Sequence, residues 1–267
     1  MTWWGIIIKS VKGVWKIRVE ISFTSNNELV LPLNYNHILQ AFIYKNITDK
    51  AYAKFLHDRG YEVYKKTFKL FTFGRLEGRF RIFPGRIMLF PPLKLVVSSA
   101  VDDFINDFCE TLLKRDDQQL LDQKVFVESL SVYDRKIRGN EITIKMLSPL
   151  VMYSTVDIKD KKFTYYYSPW DKDISGMLKT NLIKKYMAIS GCFPGGQDFD
   201  MDTIGPKDNR YQKIINYEGT VIKGWMGIYK IKGSPELLKV AYDCGLGSKS
   251  SMGFGCCEIL EGGERDA

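Results

Sequence analysis

Histidine occurs only twice in the 267 residues, at 37 and 57, and cysteine five times, at 109, 192, 244, 256 and 257, with no CxxC pair. Neither histidine stands where it would complete a zinc-ligand set, so a zinc motif is excluded and no metal site or cofactor is expected. The odd cysteine count without framework spacing argues against a disulfide-stapled secreted domain. A reduced cytoplasmic setting is the expectation. No run approaches the roughly 20 apolar residues of a bilayer-crossing helix, which excludes a helical span and any membrane partner built on one. The opening MTWWGIIIKSVKGVWK has a short apolar run but lacks a basic leader and a small-residue cleavage site, so no secretory signal is expected. Trp3, Trp4 and Trp15 fit an interfacial anchor, an extra strand or an upstream extension; residues 1–16 are assigned as an N-terminal extension before a natural start near Ile17. Acid is in the minority as well. Against 31 Asp and Glu stand 39 Lys and Arg, for a formal net charge of +8 and a pI near 9.1. Such a field attracts polyanions, nucleic acid first, and its spread along the chain favours a folded binding face over a basic tail.

From Ile17 the string IRVEISF alternates in period two, as a half-buried strand does. HILQAFIYKNI follows with Leu39, Phe42, Ile43 and Ile47 at helical spacing, and Asn34 or Asn36 is available to cap it. AYAKFLHDRGY is a second short helical pattern ending at Gly60. FKLFTFGRLEG and RFRIFPGRIMLFPP are β-structure broken by glycine and proline turns. SAVDDFINDFCETLLKR is an amphipathic helix with Val101, Phe104, Ile105, Phe108 and Leu112 on one face, and KVFVESLSVYD is another strand. Strand, helix, strand pair, helix, strand is the order of a ferredoxin-like unit. After the polar run RKIRGN the order recurs: EITIKMLSPLVMYS and FTYYYSP as strands, ISGMLKTNLIKKYMAIS as helix, DFDMDTI, YQKIINYEG and GWMGIYKIKG as strands, PELLKVAYDCG as helix, MGFGCCEIL as strand. The expectation is an α+β protein of two tandem ferredoxin-like, RRM-like domains over residues 17–135 and 136–262.

Between the last helix and the last strand lies GLGSKSSMGFG, residues 245–255, two Gly-apolar-Gly triplets around five mostly polar residues. Glycine permits positive φ and close approach of backbone N–H groups to phosphate, so Gly245, Gly247, Lys249, Gly253 and Gly255 are candidate RNA-binding residues. The plain alternative is that Gly245 caps a helix and Gly253 and Gly255 mark a bulge. This doubled triplet resembles the glycine-rich loop of the repeat-associated RNA-binding superfamily of CRISPR systems. With LQAFIYKNI, AKFLHDRGY and FKLFTFGRL near the N-terminus, residues 17–260 resemble the family that processes CRISPR precursor transcripts. The resemblance implies a metal-independent endoribonuclease that cuts within repeats and yields guide RNAs. Its implied partners are CRISPR repeat RNA and subunits of the CRISPR effector complex. The alternative is a non-catalytic RNA-binding subunit of such a complex, and a third reading is a basic peripheral-membrane or scaffold protein.

By the same resemblance the catalytic group is Tyr44 in FIYK, His57 in FLHD and Lys69 in FKLF, with Lys65 and Lys66 as rivals to Lys69. The chemistry of the residues agrees. Attack of a 2′-hydroxyl on the adjacent phosphorus needs a base, an acid for the leaving 5′-oxygen and positive charge for the phosphorane. Imidazole is the side chain whose ordinary charge change falls near neutral pH, so His57 is the natural proton shuttle, as base, acid or both. A phenol with its ordinary pKa near 10 is a poor base, so Tyr44 takes orientation or acid duty, and Lys69 takes charge stabilisation. Singly, His57 would serve a helix end, Tyr44 a core boundary and Lys69 a solvated strand face. Lys65, Lys66, Arg75, Arg79, Arg81 and Arg86 alternate with Phe68, Phe71, Phe73, Phe80 and Phe83, an interleaving that offers RNA both cations and stacking faces, with Lys65, Lys66 and Arg75 the first candidates.

Overall fold

A computed structural model describes residues 18–158 and 161–265. The extension assigned to residues 1–16 lies outside the described residues. In Arg18–Thr24 the alternation expected from the sequence turns Val19, Ile21 and Phe23 into the core. This strand pairs antiparallel with Phe126–Tyr133 on one side and Arg86–Ser99 on the other, and Phe71–Phe73 continues the sheet beyond Arg86–Ser99. Numbered along the chain, these four strands lie in the order 4-1-3-2. Helices α1 (Asn36–Lys45) and α3 (Asp102–Lys114) seal one face, α1 through Ile38, Leu39, Phe42 and Ile43 and α3 through Phe104, Ile105, Phe108 and Leu112. Between α1 and the sheet's second strand comes α2 (Lys50–Asp58), whose N-terminus is capped by Asp49 accepting from the amides of Ala51 and Tyr52.

In the second half Glu141–Met146 lies between Ile228–Gly233 and Cys257–Glu261, with Phe199–Ile204 outermost beside Ile228–Gly233, which read from the Cys257–Glu261 edge is again 4-1-3-2. Helices α4 (Ile174–Ser190) and α5 (Pro235–Cys244) cover it. The start of α5 follows from sequence: Ser234 accepts from the Leu237 amide, Pro235 takes the first turn, and Gly245 at φ +81° ends it. The fold is two ferredoxin-like domains in tandem. Two hairpins are added to the second one, Tyr153–Ile158 with Lys161–Tyr166 and Gln212–Tyr217 with Thr220–Trp225.

The domains are tied through buried polar groups. Arg18, fully buried at the start of the first strand, donates to the carbonyls of Cys257 (2.7 Å) and Tyr242 (2.8 Å) in the second domain. Its guanidinium lies 3.8 Å from the centre of the Tyr242 ring. Thr72 donates to the Phe254 carbonyl (2.9 Å), which lays the strand Phe71–Phe73 alongside the segment 245–255. Thus the glycine-rich segment sits at the joint between domains.

Candidate functional site

The segment 245–255 turns tightly, with Gly245, Gly247, Lys249, Gly253 and Gly255 all at positive φ. The four glycines are required by contact as well as by torsion. A Cβ on Gly247 would lie 2.4 Å from the Val151 carbonyl oxygen, and one on Gly253 would lie 2.5 Å from the Phe73 ring and 2.8 Å from the Asn36 amide nitrogen. These closest approaches are to the protein's own atoms.

Inward-turned carbonyls hold the loop from both sides. Lys185, buried on α4, donates to the carbonyls of Cys244 (3.2 Å), Gly245 (2.6 Å) and Gly247 (2.8 Å) and to the Ser250 hydroxyl (2.9 Å). Burial pushes its ammonium down to about 8. From α1, Asn36 donates to the carbonyls of Met252 and Gly253 (3.0 Å each) and Gln40 to that of Ser251 (2.6 Å). Gln40 in turn accepts from the Tyr217 hydroxyl. Asn36 therefore spends its side chain on the loop; the N-cap of α1 is Tyr35, and no side chain caps that helix. Asn34 is likewise diverted, accepting from the Asn216 amide.

Beside the loop opens a cleft of about 850 Å³. Gly247 and Lys249 form part of one wall, Lys66 and Lys69 another, and Lys172 just before α4 with Lys184 on it a third, buried Lys185 lying behind. Asp173 is the one carboxylate among its lining residues. Burial lowers the ammonium pKa of both Lys69 and Lys249, and Lys249 sits 5.0 Å from the centre of the Tyr153 ring. A row of lysines facing a single acid suits a polyanion.

At the edge of this cleft the three sequence-predicted catalytic residues meet. Lys69 donates to the His57 carbonyl at 2.7 Å, and the His57 ring stands 5.9 Å from that of Tyr44, edge to face. The Lys69 ammonium keeps two further N–H groups for a ligand. The His57 side chain is 74% exposed, and its Nδ1 lies 2.9 Å from the Asp58 carboxylate. That hydrogen bond holds Asp58 below the usual carboxylate range; with Nδ1–H donating to it, Nε2 is the nitrogen left for a substrate proton. Tyr44 packs edge-on against buried Phe71, and burial pushes its phenol up to about 12, so it stays protonated at neutral pH.

Other candidates are placed differently. Lys65 occupies the exposed turn between Tyr61–Val63 and Lys66–Phe68, at φ +60°, away from the cleft lining. Arg75 lies over Tyr35, donating to its hydroxyl at 3.4 Å, and does not line the cleft either. Phe71 and Phe73 are core residues, whereas Phe80 and Phe83 are exposed. His37 bonds the Asn34 carbonyl and faces Tyr217. The sequence reading missed Asp58, Asn36, Gln40 and the α4 lysines. Within α4 the spacing of Gly176, Thr180 and Lys184, four residues apart, was the available signal for the cleft-facing side of that helix. Among the described residues no three His, Cys, Asp or Glu side chains gather as a metal-ligand set.

A family model described as CRISPR-associated protein Cas6, N-terminal, matches residues 30–131, and one described as CRISPR associated protein Cas6, C-terminal, matches 132–259. CRISPR-associated endoribonuclease Cas6 1 of Methanocaldococcus jannaschii is 30% identical over 251 residues, covering 92% of this chain and 93% of its own. The chain belongs to the Cas6 family. CRISPR-associated endoribonuclease Cas6 of Pyrococcus furiosus is 27% identical over 234 residues, 86% of this chain and 83% of that one. A solved structure of the product of a Cas6-related gene from Pyrococcus furiosus superimposes with a TM-score of 0.80 at 24% identity, covering 92% of this chain and 99% of that one, which establishes the shared fold. Both Cas6 halves are thus matched on a chain whose cleft lies at their joint.

Proposed function

We propose that this Cas6-family chain is an endoribonuclease that cleaves CRISPR precursor RNA within its repeats, without a metal ion, to give mature guide RNAs for an effector complex. The observation that carries the reading is the meeting of Tyr44, His57 and Lys69 at the rim of a lysine-lined cleft beside the glycine-rich loop. The names of the curated relatives, CRISPR-associated endoribonucleases, support the same activity.

In the proposed reaction the RNA backbone lies along the cleft with its phosphates on Lys66, Lys172, Lys184 and Lys249. The 2′-oxygen attacks the adjacent phosphorus while its proton passes to a base. The bond from phosphorus to the 5′-oxygen breaks and that oxygen takes a proton from an acid, leaving a 2′,3′-cyclic phosphate and a 5′-hydroxyl. His57, exposed and oriented by Asp58, exchanges these protons through Nε2. Lys69 places its spare N–H groups on the phosphorane oxygens, and Tyr44 donates a hydrogen bond as a neutral phenol.

The test is cleavage of the chain's own locus repeat RNA in excess chelator, with and without a 2′-deoxy substitution just upstream of the scissile phosphate. Cutting should persist with chelator and stop with the deoxy substitution, the RNA remaining bound. A two-metal nuclease would show the reverse, since its water nucleophile does not use that hydroxyl. Tight binding with no cutting under either condition would assign the chain to the non-catalytic RNA-binding class.

A further inference from the structure

The strand Glu77–Phe83 is exposed along its whole length, although Phe80, Ile82 and Phe83 are 59%, 61% and 40% accessible. Large apolar side chains so displayed on one short strand mark a surface that meets something. It forms an arm with the outer part of Arg86–Ser99, and the register puts Arg79 opposite Phe90, Arg81 opposite Met88, and Phe83 opposite Arg86. Residues directly opposite share a face, so three guanidiniums alternate with two aromatic rings and a methionine on one side of the arm. The neighbouring positions Ile87 and Leu89 point the other way, into the core under the helices, and their partners Phe80 and Ile82 lie on that side, so Phe83 is the exposed ring that strand Glu77–Phe83 gives to the arginine face. The arginine face is therefore continuous with the side of the sheet opposite α1 and α3. A groove of about 480 Å³ opens on it, lined by Gly78, Arg79, Phe80, Arg81 and Phe90. Among the described residues no ion pair engages Arg79, Arg81 or Arg86, whereas Lys94 further along the same strand is bound to Glu20 at 2.7 Å.

We infer that this arm is a second RNA-contacting surface, which grips a single-stranded stretch of the precursor outside the cleaved segment by stacking bases on Phe83 and Phe90 and holding phosphates with Arg79, Arg81 and Arg86. The inference rests on the proposed role in precursor processing. Its occupant follows from the chemistry of the face: cations without carboxylate partners answer a polyanion, and rings set between them answer bases rather than a protein's aliphatic side chains. None of these residues lines the cleft, so the two surfaces can hold different parts of one strand.

The experiment measures binding of a repeat RNA extended by its flanking spacer nucleotides and carrying the 2′-deoxy substitution, so that affinity is read whether or not the chain cuts. The Arg79→Gln/Arg81→Gln variant should bind about tenfold or more weakly, and its slope of log K against log salt should fall by about 1.4, the value for two single-strand phosphate contacts. Phe83→Ala should weaken binding with an unchanged salt slope, because stacking releases no counterions. Trimming the flanking nucleotides from the RNA should remove the difference between wild type and variants. Equal affinity and equal slope in folded variants overturn the inference, as does loss of a protein partner's binding with RNA affinity intact. Failure of the wild type to cleave the same RNA with its 2′-hydroxyl intact, with these binding differences present, would instead reject the proposed reaction and leave the arm's assignment standing.

Discussion

Replacing Lys185 with methionine separates loop positioning from overall stability. The buried ammonium sits at about 8 against an ordinary 10.5, so keeping it charged inside the protein costs about 3 kcal/mol at pH 7. Methionine removes that cost but strips the donor from three carbonyls and one hydroxyl, each worth roughly 1 kcal/mol or more when buried unsatisfied. The two effects oppose each other, and the variant is expected to stay folded with a global change of at most about 3 kcal/mol. RNA binding should suffer more, by about tenfold or greater, because the point that gathers the carbonyls of Cys244, Gly245 and Gly247 is gone. Urea melts across pH supply an independent check. Between about pH 8 and 10.5 the unfolded chain keeps this proton while the folded chain has released it, so stability contributed by this residue rises with pH. Wild type should therefore gain on the Met variant by up to about 3 kcal/mol across that window. Parallel stability curves would refute a charged buried Lys185, and unchanged RNA affinity in the folded variant would refute its hold on the loop.

His57→Ala should leave RNA affinity within a few-fold while slowing cleavage of bound RNA by about 10² to 10⁴, read in single-turnover assays, whereas His37→Ala should do far less. Equal single-turnover rates for wild type and His57→Ala would remove the proton shuttle. Gly247→Val should weaken binding more than cleavage of bound RNA, since its Cβ would strike the Val151 carbonyl and displace the loop from within; a folded variant with wild-type affinity would show the loop tolerates that displacement.

Much of the fold was legible in local periodicity. Val19, Ile21 and Phe23 alternate, α1 shows its stripe, and the Ser-Pro start and glycine end of α5 are local signals acting within a turn. The meeting of Tyr44, His57 and Lys69 was reached by resemblance to a family. Long-range pairing was invisible. Nothing near Asn36 tells that its amide reaches a loop 216 or 217 positions later instead of capping its own helix. The Lys184-Lys185 pair reads as a solvated helix face, yet one member lines the cleft near the surface and the other is fully buried, because burial is decided by what packs against α4. The same limit applies to the phenylalanines at 71 and 73 as against those at 80 and 83, which share a pattern but sit on a core strand and on a protruding arm.

Arg18 also bears on how this molecule could be divided. A cut between its halves would leave the first with a guanidinium whose acceptors belong to the other chain, and the second with the carbonyls of Tyr242 and Cys257 stripped of their donor. Two separately expressed fragments should thus be poorly soluble alone and should reconstitute when mixed, as a split reporter does, with the proposed catalytic trio on one piece and the glycine-rich loop on the other. Association of the pieces would then switch the enzyme on.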